Sequence, residues 1–231
     1  MRTDPLPTPA LVGRDRKPKI SAVGTRAVLV EAPGEFDLVQ QSRVWSLADT
    51  VSAWDAVEEA VVGVTNVMVV LRAPPADWDA FAAEVADAWD RARPRPVSGR
   101  THEIPVHYGG ALGFDLPAVA ARAGLSEREV VALHAAGEYV VCAIGSSPGF
   151  GYLHGLDPRL FMPRKSVPSL RMLAGSVTIG GMQAGIAAQT GPNGWNSIGW
   201  ASAPMFDPTR DPPCRLAPGD RVRFRVDRVE L

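Results

Sequence analysis

The sequence has 231 residues, of which 46% are hydrophobic, 24 are lysine or arginine and 25 are aspartate or glutamate. This length and apolar content favour two modest domains with packed cores, and the near-zero net charge argues against a basic stripe and a nucleic-acid partner. The two cysteines, Cys142 and Cys214, lie far apart without a neighbouring ligand cluster, so we expect neither a disulfide scaffold nor a metal site.

The first residues are rich in proline and basic side chains. Residues 1–24 contain three prolines before position 10 and lack the apolar core of a secretion signal, so we predict a disordered leader there. No apolar run in the sequence approaches the roughly 20 residues that a helix needs to span a bilayer. These features predict a cytoplasmic protein with no membrane partner.

Residues 25–92 combine strand and helix signals. Residues 26–32 form a short β-rich run, and residues 66–71 form a continuous apolar run that is typical of a buried strand. Between these runs, apolar residues from 37 to 61 recur at three- and four-residue intervals, which predicts helical segments. Residues 78–92 predict an amphipathic helix whose aromatic stripe is more typical of a core than of a cofactor site. We therefore predict a small α/β amino-terminal domain.

The next segment, residues 93–101, carries two prolines and a glycine and interrupts every hydrophobic period, which indicates a linker between domains. Beyond it, residues 103–108 predict a strand, and residues 116–123 predict a short helix that a glycine terminates. Ser126 and Glu129 have the spacing of a capping box, so we predict a second helix that runs from this point to about residue 136.

Beyond Tyr139 the helix signals give way to short β segments that glycine and proline separate. Residues 139–144 predict one strand, and the alternating residues 221–226 predict the closing strand. Several short strands over about 90 residues favour a closed or nearly closed β-barrel. We therefore predict an α+β and mainly β chain, in which a β-barrel domain at residues 102–231 follows the small α/β domain.

A glycine-rich loop follows the strand predicted at residues 139–144. Residues 145–152 contain three glycines, so the backbone can approach a ligand closely or take a positive φ. The loop lacks the Gly-Lys-Ser/Thr ending of a phosphate loop, and no helix follows it as a dinucleotide fingerprint requires. We predict that Gly149, Phe150 and Tyr152 bind substrate, and a plain barrel turn is the alternative.

Three arginines, Arg159, Arg164 and Arg171, lie within thirteen residues of one another. Guanidinium groups in such a set can clamp carboxylate or phosphate oxygens, so we predict that they bind an anionic small-molecule substrate at the mouth of a hollow barrel. The alternative is that these arginines serve surface solubility while Asp157 caps a turn. Asp157 is also a candidate catalytic residue.

Two further glycine-rich stretches, residues 174–185 and 191–195, alternate short strands with tight turns. Ser176, Gln183 and Trp195 can line a cavity there, and we predict that Ser176 and Trp195 bind substrate while Gln183 acts as a catalytic residue that orients it. Trp195 can equally plug the barrel. The four histidines are scattered along the chain, so the sequence supports no catalytic triad.

Short motifs recur in a fixed order along the carboxy-terminal part: Ile104-Pro105-Val106, Tyr108-Gly109-Gly110, Leu133-His134, Pro148-Gly149-Phe150, residues 152–160, Ala174-Gly175-Ser176-Val177, Phe206-Asp207-Pro208 and residues 216–224. As a set these motifs resemble the family of the 5-oxoprolinase B subunit. This family was long labelled allophanate hydrolase subunit 1 and includes the KipI kinase inhibitor. The resemblance covers about residues 26–226 and is strongest from residue 104.

The resemblance implies a small α/β domain followed by a cyclophilin-like β-barrel. It also implies partners, because family members act with a homologous C subunit and, in bacterial 5-oxoprolinase, with a third protein, the A subunit. The implied reaction is the hydrolysis of 5-oxoproline to glutamate with ATP, which the chain binds alone or together with its partner. An arginine-lined pocket suits both the substrate carboxylate and phosphoryl charge.

The sequence departs from the family pattern in the segment that we nominate as the site. Ser146 and Ser147 stand where relatives carry Phe-Ala, while Ser169 and Trp200 stand where arginines are common. The loss of two guanidinium groups weakens an anion clamp, since each charge-assisted bond contributes about 1.5–3 kcal/mol. Two alternatives therefore stay open: a relative repurposed for another cyclic or amide-bearing small molecule, and a non-catalytic histidine kinase inhibitor similar to KipI.

Overall fold

The computed structural model describes residues 17–231, which divide into two compact units: residues up to 61 together with 65–92, and residues 93–231 together with 62–64. The leader predicted at residues 1–24 lies largely outside the described residues. Its last part is described, and there Lys19–Val23 form strand β1, so the prediction of disorder is wrong for this segment. The sequence did not reveal β1 because its side chains are exposed or half-buried, which leaves no apolar alternation to detect.

The amino-terminal unit combines a four-stranded sheet with two helices. After β1, its elements are β2 (Ala27–Glu31), α1 (Leu38–Ser52), β3 (Val57–Val62), β4 (Asn66–Leu71) and α2 (Trp78–Arg91). The sheet order is β1-β2-β4-β3, so the two apolar strands β2 and β4 are central and the more polar strands form the edges. This arrangement confirms the predicted small α/β fold.

The helical prediction for residues 37–61 is correct only in its first part. Asp37 caps α1 by accepting a hydrogen bond from the backbone N–H of Gln40, and the helix ends at Ser52. The last part of that range belongs to strand β3 instead. Val57 and Val61 are four residues apart and imitate a helical period, but branching at Cβ favours the strand, and Val61 remains 36% exposed.

The aromatic stripe of α2 is part of the core, as predicted. Phe81, Val85 and Trp89 are buried, and the guanidinium of Arg43 lies 4.3 Å above the centre of the Trp89 ring while donating to the Trp89 carbonyl. Trp78, at the start of the helix, is half-buried. These contacts pack α2 against α1 within the amino-terminal unit.

The carboxy-terminal unit is built on a closed seven-stranded barrel. Its strands are β5 (Thr101–Gly109), β6 (Tyr139–Ile144), β7 (Gly151–His154), β9 (Ser176–Gly180), β10 (Gln183–Ile186), β12 (Asn196–Trp200) and β13 (Arg221–Glu230). They follow the order β10-β7-β6-β13-β5-β12-β9, and β13 runs parallel to β5 from the Arg221–Thr101 pair onward. The strands β8 (Ser169–Met172) and β11 (Gly191–Asn193) form a separate two-stranded sheet. The closed barrel confirms the predicted fold class.

Two α-helices lie between β5 and β6, and both follow the sequence prediction. Helix α3 (Leu116–Ala123) ends at Gly124, which takes the left-handed conformation with φ of +67°. Helix α4 (Glu127–Ala136) begins with a complete capping box, in which Ser126 and Glu129 each accept a hydrogen bond from the other's backbone N–H. A short 3₁₀ helix (Pro158–Leu160) follows β7.

The inside of the barrel is packed with apolar side chains, so the expectation of a hollow barrel is wrong. Inward-facing residues of neighbouring strands form one continuous core, which includes Ile104, Val106, Val141, Leu153, Val177, Ile179, Ile198 and Phe224. A barrel of this strand number has room for side chains and little else. None of the helices within residues 17–231 is long and apolar enough to cross a membrane.

Candidate functional site

A cavity of about 580 Å³ lies against strands β7, β9 and β10 of the carboxy-terminal unit. Its lining brings together predicted site residues from separate sequence motifs, namely Phe150, Tyr152, Arg164, Gln183 and Trp195. The cavity is of the size that small-molecule sites have, and it combines aromatic surface with several polar side chains. It is therefore the candidate binding site of this unit.

Three aromatic rings form one side of the cavity, which we call the aromatic wall (Phe150, Tyr152 and Trp195). The ring centres are 5.0 Å apart for Phe150 and Tyr152, 5.3 Å for Phe150 and Trp195, and 6.0 Å for Tyr152 and Trp195. All three pairs meet edge to face, a geometry that contributes about 0.5–1.5 kcal/mol per pair beyond area burial. The wall is thus a fixed apolar surface that can hold the face of a small ring.

Two glycines of the β9–β10 hairpin make room for the aromatic wall. A methyl group at Gly180 would lie 2.6 Å from Cγ and Cε2 of Trp195, and one at Gly185 would lie 2.8 Å from Cζ of Phe150. Neither distance is compatible with a side chain, so the rings rest directly on the backbone. From the sequence these glycines are recognisable only as residues of tight turns and short strands, because nothing in it shows which ring covers them.

The glycine-rich loop before β7 is a tight turn that also borders the cavity. Gly149 takes φ of +82°, and a methyl group there would approach the carbonyl oxygen of Met205 to 2.7 Å. The turn is closed by a hydrogen bond from the N–H of Gly145 to the carbonyl of Phe150. The loop is therefore a barrel turn, and at the same time Ser146, Ser147 and Phe150 line the cavity.

Several polar side chains line the cavity, Arg164, Gln183, Gln189 and Asn193 among them. Arg164 is exposed and, among the described residues, has no ion-pair partner. Gln183 is half-buried at the start of β10, and Asn193 accepts a hydrogen bond from the N–H of Trp195 at 2.8 Å. Arg164 is the only positively charged residue in the lining that the structure describes. The cavity can therefore bind one anionic group beside an apolar ring.

Asp157 and Arg159 lie outside this cavity and are engaged with each other. The Asp157 carboxylate accepts from Nε of Arg159 at 2.9 Å and from Nη2 at 2.7 Å, and it also caps the 3₁₀ helix. The side-chain hydrogen bonds from Arg159, followed by its backbone N–H, lower the pKa of Asp157 to about 2. Asp157 therefore caps a turn in the structure, which was the alternative to a catalytic role.

Arg171 and Ser176 are likewise not part of the cavity lining. Arg171 is exposed on β8, and Ser176 is buried in β9 opposite Trp200 of β12. The three predicted arginines therefore do not line one cavity: the 3₁₀ helix and the separate strand β8 place Arg159 and Arg171 outside it. Arg164 alone joins the aromatic wall.

The family of the chain follows from comparison with known proteins. Residues 18–216 match the carboxyltransferase domain, subdomain C and D. The chain is similar to the 5-oxoprolinase B subunit of Escherichia coli O157:H7, with 43% identity over 206 residues, 87% of this chain and 93% of that protein. It is also 33% identical to the 5-oxoprolinase B subunit of Haemophilus influenzae over 212 residues, 92% of this chain and 99% of that protein.

Solved structures share the same fold. The crystal structure of TTHA0988 superposes with a TM-score of 0.73 at 32% identity and covers 87% of this chain and 39% of its own. The urea carboxylase of Kluyveromyces lactis superposes with a TM-score of 0.79 at 19% identity, over 95% of this chain and 22% of its own, a likeness in fold alone. This chain thus spans less than half the length of either solved chain.

Proposed function

Since this chain belongs to the family of the 5-oxoprolinase B subunit, we propose that it is one component of an ATP-dependent amide hydrolase that converts 5-oxoproline to glutamate. The proposal includes a homologous C subunit and an A subunit as partners. It is supported by the names of two relatives that match along nearly their whole length. The observation that carries it is the cavity in which Arg164 and Gln183 accompany the aromatic wall.

The chemistry of the cavity suits 5-oxoproline. This substrate is a five-membered lactam that bears one carboxylate, so it needs one cationic partner, one amide partner and a surface for the ring. Arg164 is suited to bind the carboxylate through paired N–H groups, and the aromatic wall is suited to pack against the ring. Gln183 carries both a donor and an acceptor, as the lactam N–H and C=O require.

The reaction explains why the complex needs ATP. A lactam carbonyl is a poor electrophile, and transfer of the terminal phosphoryl group of ATP to its oxygen makes the ring carbon electrophilic. Water then adds to that carbon, and the C–N bond breaks as the nitrogen takes up a proton, which leaves an acyl phosphate. A second water hydrolyses the acyl phosphate to glutamate and phosphate. The role of this chain is to bind the substrate, to orient the lactam through Gln183 and to keep the carboxylate at Arg164. With one cation in the described lining, the cavity suits the substrate better than a triphosphate, and we assign nucleotide binding to the complex with its partners.

The location of the complex is part of the same proposal. A complex that consumes ATP needs the nucleotide pool of the cell interior. We therefore place it in the cytoplasm.

The test is reconstitution of the complex. The full chain, co-expressed with the A and C subunits and purified as an assembly, is expected to release glutamate from 5-oxoproline only when ATP is present. Each protein on its own serves as the control and is expected to be inactive. A well-assembled complex that shows no turnover with 5-oxoproline and ATP would rule the proposal out.

A further inference from the structure

Arg164 lies on a short segment whose backbone forms hydrogen bonds on both sides of this residue, at Pro163 and at Lys165. The amide of Asn196, which is 3% exposed, donates to the carbonyl of Pro163 at 3.0 Å and to the carbonyl of Ile179 in β9 at 3.1 Å. On the other side of Arg164, the backbone N–H of Lys165 donates to the carbonyl of Gly194 at 2.7 Å. The residues directly before and after Arg164 are therefore both fixed.

The side chain of Lys165 adds an ion pair that is mostly removed from solvent. Its Nζ lies 2.8 Å from Oδ2 of Asp115 and 2.6 Å from Oγ of Ser169, and the two charged side chains are only 17% and 15% exposed. The same Nζ lies 4.8 Å from the centre of the Phe114 ring. Because this amine is engaged on several sides, it is not directed at a ligand.

Asp115 in turn connects the ion pair to the rest of the unit. It stands immediately before helix α3, and its Oδ2 also accepts the backbone N–H of Ser197 in β12 at 2.7 Å. The hydroxyl of Ser197 donates to the carbonyl of Leu112 at 2.6 Å. A single carboxylate oxygen thus joins the start of α3, a barrel strand and the segment that carries Arg164.

We propose that Asp115 and Lys165 are positioning residues, which act through Arg164 by holding its segment so that the guanidinium faces the cavity. This inference rests on the proposed function, since it gives Arg164 the substrate carboxylate to bind. A long arginine side chain on a loose loop loses entropy when it binds, and a fastened backbone reduces that loss. The partly buried pair is also less screened by salt than a surface pair.

The alternative is that the pair only stabilises the fold. The two roles differ in what happens when Arg164 is absent. In an Arg164→Gln background, substitution of a positioning residue no longer changes KM, because the side chain that it positions is gone. A residue that affects the site independently of Arg164 still changes KM in that background.

The experiment uses the assembled complex and measures KM and kcat for 5-oxoproline. Lys165→Met is expected to raise KM about tenfold with little change in kcat, because an interaction made with the bound substrate is weakened. In the Arg164→Gln background, Lys165→Met is expected to change KM less than about twofold. Lys19→Met is the control, since Lys19 also forms a 2.8 Å ion pair, with Glu31, in the amino-terminal unit.

A second variant and a second measurement guard against misfolding and against failure of the proposed function. Asp115→Asn keeps an acceptor for the N–H of Ser197 but removes the charge that Lys165 faces. Amide hydrogen exchange of the isolated full chain is expected to be faster at residues 163–169 in Asp115→Asn, and unchanged there in Lys19→Met.

An unchanged exchange rate at these residues would overturn the inference, and so would a KM effect of Lys165→Met that persists without Arg164. A complex that assembles but does not turn over 5-oxoproline contradicts the proposed function alone. The exchange measurement still decides whether the pair holds the segment in that case.

Discussion

The indole of Trp195 rests on the backbone of Gly180, so closely that a methyl group at position 180 would lie 2.6 Å from two ring atoms. Gly180 ends β9 and pairs with Gln183 at the start of β10, which places the indole and the Gln183 side chain at the same end of one hairpin. The position of the indole therefore depends on the absence of a side chain at Gly180.

We expect Gly180→Ala to displace Trp195 and to disturb the aromatic wall. Overpacking of this kind costs about 1–3 kcal/mol of stability, and the displaced ring also changes the space for substrate. The measurement is the thermal midpoint of the chain together with KM for 5-oxoproline in the assembled complex. Gly191→Ala is the matched control, because Gly191 also lines the cavity but has open space around its Cα. If the two variants had the same thermal midpoint and the same KM, the position of the indole would not depend on Gly180.

Arg164→Gln is expected to raise KM for 5-oxoproline by about 10- to 100-fold, since a charge-assisted hydrogen bond to the carboxylate is replaced by a neutral one. The measurement is steady-state glutamate release by the assembled complex. Arg122→Gln serves as control, because Arg122 is an exposed arginine on helix α3 of the same unit. If both variants kept the KM of the original complex, Arg164 would have no part in carboxylate binding.

Gln183→Leu retains much of the side-chain volume but removes the amide, so we expect kcat/KM to fall by at least about tenfold through loss of one or two hydrogen bonds to the lactam. The same substitution at Gln40, in helix α1 of the other unit, is the control and is expected to leave kcat/KM unchanged. Turnover of the Gln183→Leu complex at the original rate would remove Gln183 from the proposed site.

His134 gives the fold a predictable sensitivity to acid. Its ring is fully buried, Nδ1 lies 2.8 Å from the Tyr108 hydroxyl, and Nε2 has no hydrogen-bond partner among the described residues. Burial lowers the pKa of His134 from 6.5 to about 3. At a pH between these two pKa values, His134 is protonated in the unfolded chain but neutral in the folded chain. Stability is therefore lost as the pH falls below 6.5, by about 2 kcal/mol between pH 8 and pH 5.

His134→Gln is expected to remove most of this dependence, so that its free energy of unfolding from urea titrations changes less between about pH 8 and pH 5 than that of the original chain. Tyr108→Phe is the matched control. It deletes the hydrogen bond but keeps the buried imidazole, so it is expected to lower stability at both pH values and to preserve the slope. If the free energy of unfolding of His134→Gln depended on pH as strongly as that of the original chain, His134 would not be the source of the acid sensitivity.

Much of the fold was predictable because its signals are local. The run at residues 66–71, the helix at residues 116–123, the capping box of Ser126 and the strand at residues 139–144 all match the structure. In the amino-terminal unit the strands β1 and β3 were missed. They are the edges of one sheet and bury few side chains, so pairing with a neighbour decides their structure. Such pairing is not visible in the sequence of the strand itself.

Cavity-lining residues could be selected from the sequence only where the local motif of a residue determines its neighbours in the fold. Phe150, Tyr152 and Trp195 belong to tight turns and short strands, and they meet in one wall. Arg159 was placed in the site because of its charge, but the neighbouring Asp157 engages that charge within two residues. The contact between Gly180 and the Trp195 ring joins residues fifteen positions apart in the sequence, so it becomes visible only in the folded chain.

Whether 5-oxoproline binds in this cavity is tested most directly by a crystal structure of the assembled complex with 5-oxoproline bound. We expect the substrate carboxylate to lie within about 3 Å of the Arg164 guanidinium, a charge-assisted hydrogen-bond distance, with the lactam ring against the aromatic wall. A complex in which 5-oxoproline occupies another site, while the cavity beside Arg164 and Trp195 holds only solvent, would contradict it.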